Sequence, residues 1–143
     1  MVSYNLKFKR FLKRLRNKQK LALIEAANIL INSPEESAHY SSLLNEADNI
    51  KNAIEYFQTE HYKIICDSLK IPMPDLEDSK FYYRYNFDDD EGDKYILTKE
   101  GLYDVRDRIR KEKKERREIA GFWISMIIGL LGTLIGLISV IKN

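Results

Sequence analysis

The chain has 143 residues and a formal net charge of +2. That length allows one small domain with little beside it. The single cysteine, Cys66, excludes an intrachain disulfide framework and fits a reducing compartment. The small net charge hides a strong segregation. Residues 7–20 hold eight basic side chains and no acid, residues 21–105 hold 18 acids against 7 bases, and residues 106–117 are basic again. Basic segments of this kind seek phosphates, whether of lipid or of nucleic acid.

Residues 4–31 read as one helix or two joined ones. Phe8, Phe11, Leu12 and Leu15 form an apolar stripe at spacings of three and four, continued by Ala22, Leu23, Ala26, Ala27 and Leu30. Lys7, Lys9, Arg10, Lys13, Arg14 and Arg16 surround the first half of that stripe. Such a helix serves equally to lie on an anionic membrane surface or to pack on a core with its cations solvated. On the first alternative, those six cations are the expected contacts for anionic lipid headgroups. The run Leu21-Ala22-Leu23-Ile24 is no signal peptide, because Glu25 interrupts it and no small-residue cleavage site follows.

Ser33-Pro34-Glu35-Glu36 is a helix start, with serine as N-cap, proline at the first position and glutamate three after the cap. The helix is expected to run to about Leu69, carrying Leu44, Ala47, Ile50, Ile54, Phe57, His61 and Ile64 inward. The short connection makes the first two helices an antiparallel hairpin. Ile71-Pro72-Met73-Pro74 ends the second helix. An aromatic run over residues 81–87 and the segment Tyr95-Ile96-Leu97 read as two strands joined by the acidic turn of residues 88–93. Thr98 is the expected N-cap of a last helix that carries Leu102, Val105 and Ile109 inward. Beyond Ile109 it is charged all round, with Asp104–Arg108, Asp107–Lys111 and Glu112–Arg116 at i,i+4 spacing.

Residues 119–141 contain no charged side chain. Twenty-three helical residues span about 34 Å, enough for a hydrocarbon core of about 30 Å. No domain this small can surround a helix apolar on every face. The N-terminal flank carries Arg108, Arg110, Lys111, Lys113, Lys114, Arg116 and Arg117, the C-terminal flank only Lys142. That asymmetry predicts a single-pass, tail-anchored inner (plasma) membrane protein with its N-terminus in the cytoplasm. Phe122 and Trp123 fall where an aromatic anchor meets the inner headgroups. Gly121, Ser125, Gly129, Gly132, Gly136 and Ser139 follow one another at spacings of three and four. Ser125, Gly129, Gly132, Gly136 and Ser139 are the expected helix–helix contacts, to a second copy or to a partner membrane protein, because small residues let backbones approach in lipid.

The fold expected is therefore mainly α. An antiparallel helical hairpin and a two-stranded β-hairpin occupy residues 1–98, a charged juxtamembrane connecting helix residues 99–118, and a single C-terminal transmembrane helix residues 119–141. Candidate chemistry is sparse. Aligning Gly92 with the glycine of a calcium-binding EF-hand loop puts Phe87 and Thr98 at the two end ligand positions, so the acidic turn reads as a solvated hairpin tip. His61 and Cys66, five apart on a helix, lie about 140° apart and cannot converge. No catalytic residue, metal or cofactor is expected, and a non-enzyme is. The string Tyr95 to Gly101 behind a hairpin resembles the wing of winged-helix DNA-binding domains. The preceding segment is extended, however, and the tip is acidic, so nucleic acid is not an expected partner.

Leu69, Ile71, Pro72 and Pro74, then Tyr95-Ile96-Leu97-Thr98, Gly101, Arg106, Ile109-Arg110, Glu112, Arg116, Glu118 and Trp123 precede a glycine-rich apolar run. In this pattern the C-terminal half resembles a group of small uncharacterised bacterial inner-membrane proteins with one C-terminal anchor. The resemblance implies a bacterial source and the same topology, and no activity. The function expected first is a non-enzymatic, membrane-anchored binding or assembly protein at the cytoplasmic face, with the membrane and its anionic lipids as partners. The alternative is a small membrane-active effector that oligomerises through its glycine-rich helix. Third comes a nucleic-acid-binding module.

Overall fold

The computed structural model describes residues 2–29, 33–87 and 92–141. It comprises α1 (Val2–Ala27), α2 (Pro34–Leu69), β1 (Tyr82–Tyr85), β2 (Lys94–Leu97) and α3 (Lys99–Ile141). The protein is mainly helical, with a two-stranded antiparallel β-hairpin and a long C-terminal helix that ends apolar.

Local chemistry sets the ends of α2. Ser33 stands in extended backbone, and its hydroxyl accepts a hydrogen bond from the Glu36 amide at 3.2 Å, with Pro34 opening the helix. At the other end Lys70 turns left-handed, at φ 60°. Its amide donates to the Asp67 carbonyl and the Ile71 amide to the Cys66 carbonyl, the bonding pattern of a Schellman cap. A lysine there works against the strain of a Cβ in left-handed backbone. Lys70→Gly should therefore stabilise the protein by about 1 kcal/mol, read as a higher denaturant midpoint at unchanged slope. A lower midpoint would show that the lysine side chain outweighs the strain.

α1 lies antiparallel on α2, as the pairs Phe8–His61, Phe11–Phe57 and Lys18–Glu46 show. Leu12 packs with Ile50 and Ile54, flanked by Phe8 and Leu15, and Ala22, Ala26, Leu43 and Ala47 are buried further along. A second core sits where α2 meets the β-hairpin and the start of α3. Cys66, Tyr82, Leu97, Val105 and Ile109 are its buried members. The core thus draws on both sides of Thr98. In the sheet Tyr82 stands opposite Leu97 and Tyr85 opposite Lys94. Ile96 and Leu97 are adjacent yet both buried, so both faces of β2 are covered there.

Polar bonds fasten the hairpin to α2. The buried Thr59 hydroxyl accepts from the Leu97 amide at 2.9 Å and donates to its own helix at Glu55 O at 3.0 Å. The Tyr83 hydroxyl donates to Glu55 Oε2 at 2.6 Å, and Tyr85 to Asn49 Oδ1 at 2.5 Å. Burial and the Glu55 carboxylate both push the Tyr83 phenol up, so it stays a donor.

Some expected boundaries move. The strands are Tyr82–Tyr85 and Lys94–Leu97, shorter than the aromatic run on one side and one residue longer on the other. Residues 88–91 of the acidic turn lie outside the described residues, and Gly92 has φ 78°. On α2, Leu43 rather than Leu44 is the buried leucine, and Phe57 and Ile64 remain 38% and 48% exposed. Thr59 and Cys66 are buried instead, about 100° or more around the helix from the stripe of Ala47, Ile54 and His61. From Thr59 on, the buried side chains of α2 face the β-hairpin and α3 rather than α1.

Candidate functional site

The structural feature with functional content is the joint between the helical head and the apolar half of α3. α3 starts inside the head. The Thr98 hydroxyl accepts from the Gly101 amide at 3.1 Å and donates to Lys80 O at 2.7 Å, while the Thr98 amide donates to Phe81 O at 2.9 Å. One threonine therefore caps the helix and ties it to the entry of β1. Leu102, Val105 and Ile109 then carry the helix through the second core.

Beyond Ile109 the helix leaves the core beside the end of α2, and the two helices run in the same direction. The Arg106 Nε donates to the Tyr62 hydroxyl at 2.8 Å, and Arg116 Nη2 to the Leu69 carbonyl at 2.9 Å. Arg108 Nη1 reaches Pro72 O at 3.3 Å. Leu69 is the last residue of α2, so Arg116 satisfies a helix-end carbonyl and sits at the negative end of that helix. The i,i+4 ladder is present as Asp104–Arg108 at 2.7 Å, Asp107–Lys111 at 2.8 Å and Glu112–Arg116 at 2.6 Å. Lys111 holds the Asp107 carboxyl below its ordinary range. These pairs are exposed and each stabilises little; the fork of Arg116 between Glu112 and Leu69 O is the one that joins two elements.

Between α2 and α3 lies a cleft of about 390 Å³, floored by Tyr62, Ile65 and Ile109 and rimmed by Arg106, Arg110 and Lys113. A recess of about 270 Å³ lies between α2 and β2, where Tyr56, Met73, Tyr82 and Tyr95 meet Glu60 and Lys63.

The apolar segment, residues 119–141, continues α3 without a break. An 18-residue window of α3 has a mean hydropathy of 1.8 and none of that window is buried against the head. By length and composition this helix is able to cross a membrane. The Thr133 hydroxyl donates to the carbonyls of Leu130 at 2.8 Å and Gly129 at 3.3 Å, so this polar group is satisfied within the helix.

The residues singled out in the sequence are distributed as follows. Ser125, Gly129 and Gly132 are exposed on the apolar segment, and a Cβ built on Gly129 or Gly132 meets nothing within 4 Å. Gly136 and Ser139 continue the helix, their surroundings lying outside the described side chains. Lys7, Lys9, Arg10, Lys13, Arg14 and Arg16 are all exposed. Of the two arrangements open to α1, its apolar stripe takes the one packed on α2. Cys66 is fully buried, and burial pushes its thiol pKa up, away from nucleophilic use. The His61 ring stacks on Phe8 at 4.2 Å, and burial pushes its pKa down. The contacts of Arg116 and Arg108 with the end of α2 were not legible, because they join residues 47 and 36 apart.

Comparison with protein-family models, with curated proteins and with solved structures finds no match to this chain. Fold and site together define a helical head built onto the first turns of one long helix whose remainder is able to cross a membrane.

Proposed function

We propose that this is a non-enzymatic, single-pass protein of a bacterial inner membrane that holds its head at the cytoplasmic face as a binding or assembly module. The observation that carries this reading is the continuity of α3, which begins in the head core at Leu102, Val105 and Ile109 and runs unbroken through the apolar segment. A head tethered by a loose linker samples orientations; one built on the spanning helix has a defined pose. The cationic flank before residue 119 supports a head on the cytoplasmic side. Leu21 and Ile24, about 60° apart on α1, are exposed at the end remote from α3, an apolar face suited to a partner. The pattern shared with small bacterial inner-membrane proteins agrees with this placement. A phosphatase active only in the periplasm should be active when fused after Asn143 and silent before Met1. The reverse pattern overturns the orientation, and silence at both ends overturns the span.

The spanning helix is also read as a contact surface for a second copy. Ser125, Gly129, Gly132, Gly136 and Ser139 share an arc of about 80° at 100° per residue, and Gly129 and Gly132 are open to close approach. In a membrane two-hybrid assay of the full chain, Gly132→Ile should lower the association signal several-fold while Leu134→Ile leaves it unchanged. Equal behaviour of the two variants would remove the glycine face as the interface.

A further inference from the structure

We propose that the flank of α3 beside the α2–α3 cleft is a docking groove for an anionic phospholipid of the leaflet that adjoins the head. The proposal rests on the reading that residues 119–141 cross the membrane. At 100° per residue, Arg106, Arg110, Lys113 and Arg117 fall within an arc of about 60° on α3. Asp104, Asp107, Glu112, Glu115 and Glu118 all lie outside that arc. The acids neutralise the cations of the other faces: Asp104 pairs with Arg108, Asp107 with Lys111, Glu112 with Arg116 and Glu118 with Lys114. Along the arc, Arg106 is held by Tyr62, Arg110 has only a distant contact with Asp107 at 3.8 Å, and Arg117 Nε donates to the Lys113 carbonyl. The Lys113 ammonium has no partner among the described residues. The surplus positive charge of the joint is thus collected on one flank.

The position of that flank selects the ligand. At 1.5 Å per residue Arg117 stands about 3 Å above the apolar segment, Lys113 about 9 Å and Arg110 about 14 Å. A headgroup layer is about 5–7 Å deep on each side of the hydrocarbon, so Arg117 stands within it and Lys113 just above it. Below Arg117 the same arc continues as Ile124, Ile128, Leu131 and Ile135, all exposed. Above it the cleft offers an apolar floor of Tyr62, Ile65 and Ile109. A stripe that is cationic at headgroup height and branched-aliphatic for the next 17 Å or so matches a phospholipid lying lengthwise against the helix. A free phosphate would use only its upper part. The small-residue face occupies a different arc of the helix, so lipid and helix–helix contacts do not compete. α1 is the lesser candidate, because its apolar stripe is already packed on α2.

The test uses the full chain in phosphatidylcholine bilayers, with spin-labelled phosphatidylglycerol or phosphatidylcholine as the probe and the protein-bound fraction of each as the readout. Wild type should select phosphatidylglycerol. The double variant Lys113→Gln with Arg117→Gln should lose most of that selectivity, about fivefold per cation removed at low salt. Lys111→Gln with Lys114→Gln, which removes the same charge from outside the arc, should keep it. A wild type without selectivity, or equal loss in both double variants, overturns the groove. Displacement of the labelled lipid by millimolar inorganic phosphate assigns the flank to a soluble anion and overturns the lipid. Extraction of the wild-type chain from the bilayer by alkaline carbonate is the separate result that overturns the span itself.

Discussion

Gly101→Ala should destabilise the head by about 3 kcal/mol and lower its melting temperature by on the order of 10 °C. A Cβ built there falls 2.4 Å from the Phe81 carbonyl oxygen and 2.8 Å from Leu97 Cδ2. The oxygen is backbone and is engaged, since it accepts from the Thr98 amide at 2.9 Å. Leu97 is buried in the core and has no room to retreat. Relief therefore means shifting α3 away from β1, which loosens the Thr98 bonds to Lys80 and Phe81 together. Gly121→Ala is the control. Its Cβ meets nothing within 4 Å, and alanine is the better helix former, so it should be neutral or slightly stabilising. Thermal unfolding of the full chain in detergent micelles, followed by circular dichroism, checks both. A Gly101→Ala variant that melts with the wild type would show that this close approach is not maintained.

Lys114→Pro should break the joint without unfolding the head. A proline inside a helix removes a hydrogen bond and clashes with the preceding turn, a penalty of about 3 kcal/mol or more. Lys114 lies beyond Ile109, the last α3 residue of the core, and before the apolar segment, so neither core contacts nor the apolar run change. Spin labels at Glu100 and Ser125 are 25 residues apart, about 37 Å along an unbroken helix. Wild type in bilayers should give one narrow distance near that value. Lys114→Pro should give a shorter, broad distribution, with Lys114→Ala unchanged. A broad wild-type distribution would show that head and apolar segment are not one helix, and the defined pose of the head would go with it.

The orientation of the head is set by few groups. Thr98 fixes where α3 begins, Val105 and Ile109 fix its packing, and Arg116 returns to the end of α2 at Leu69. The charged stretch is thus more than a solubilising spacer. One face steadies α2, the outer face is neutralised by its own acids, and the remaining flank keeps its cations.

What the amino-acid order determined by itself is everything that depends on neighbours in the chain. Ser33 and Thr98 cap their helices because the amides they serve lie three residues on. The pairs Asp104–Arg108, Asp107–Lys111 and Glu112–Arg116 form because one helical turn brings them together. The apolar character of residues 119–141 is a property of composition, and the two strands follow from β-branched and aromatic residues around a turn. Tertiary structure alone decided which of two equivalent uses a surface was put to. The stripe on α1 suits a membrane or a helix, and only the presence of Ile50, Ile54 and Phe57 opposite it selects the helix. The turning of α2 from Ile54 to Thr59 and Cys66 follows from a change of partner, from α1 to the β-hairpin and α3. Thr59 is buried because the Leu97 amide, 38 residues on, needs an acceptor there. Arg106, Arg108 and Arg116 read alike in a basic run; which carbonyl or hydroxyl each one meets depends on where α2 ends in space. Helical periodicity records which way a side chain points, but not what stands opposite it.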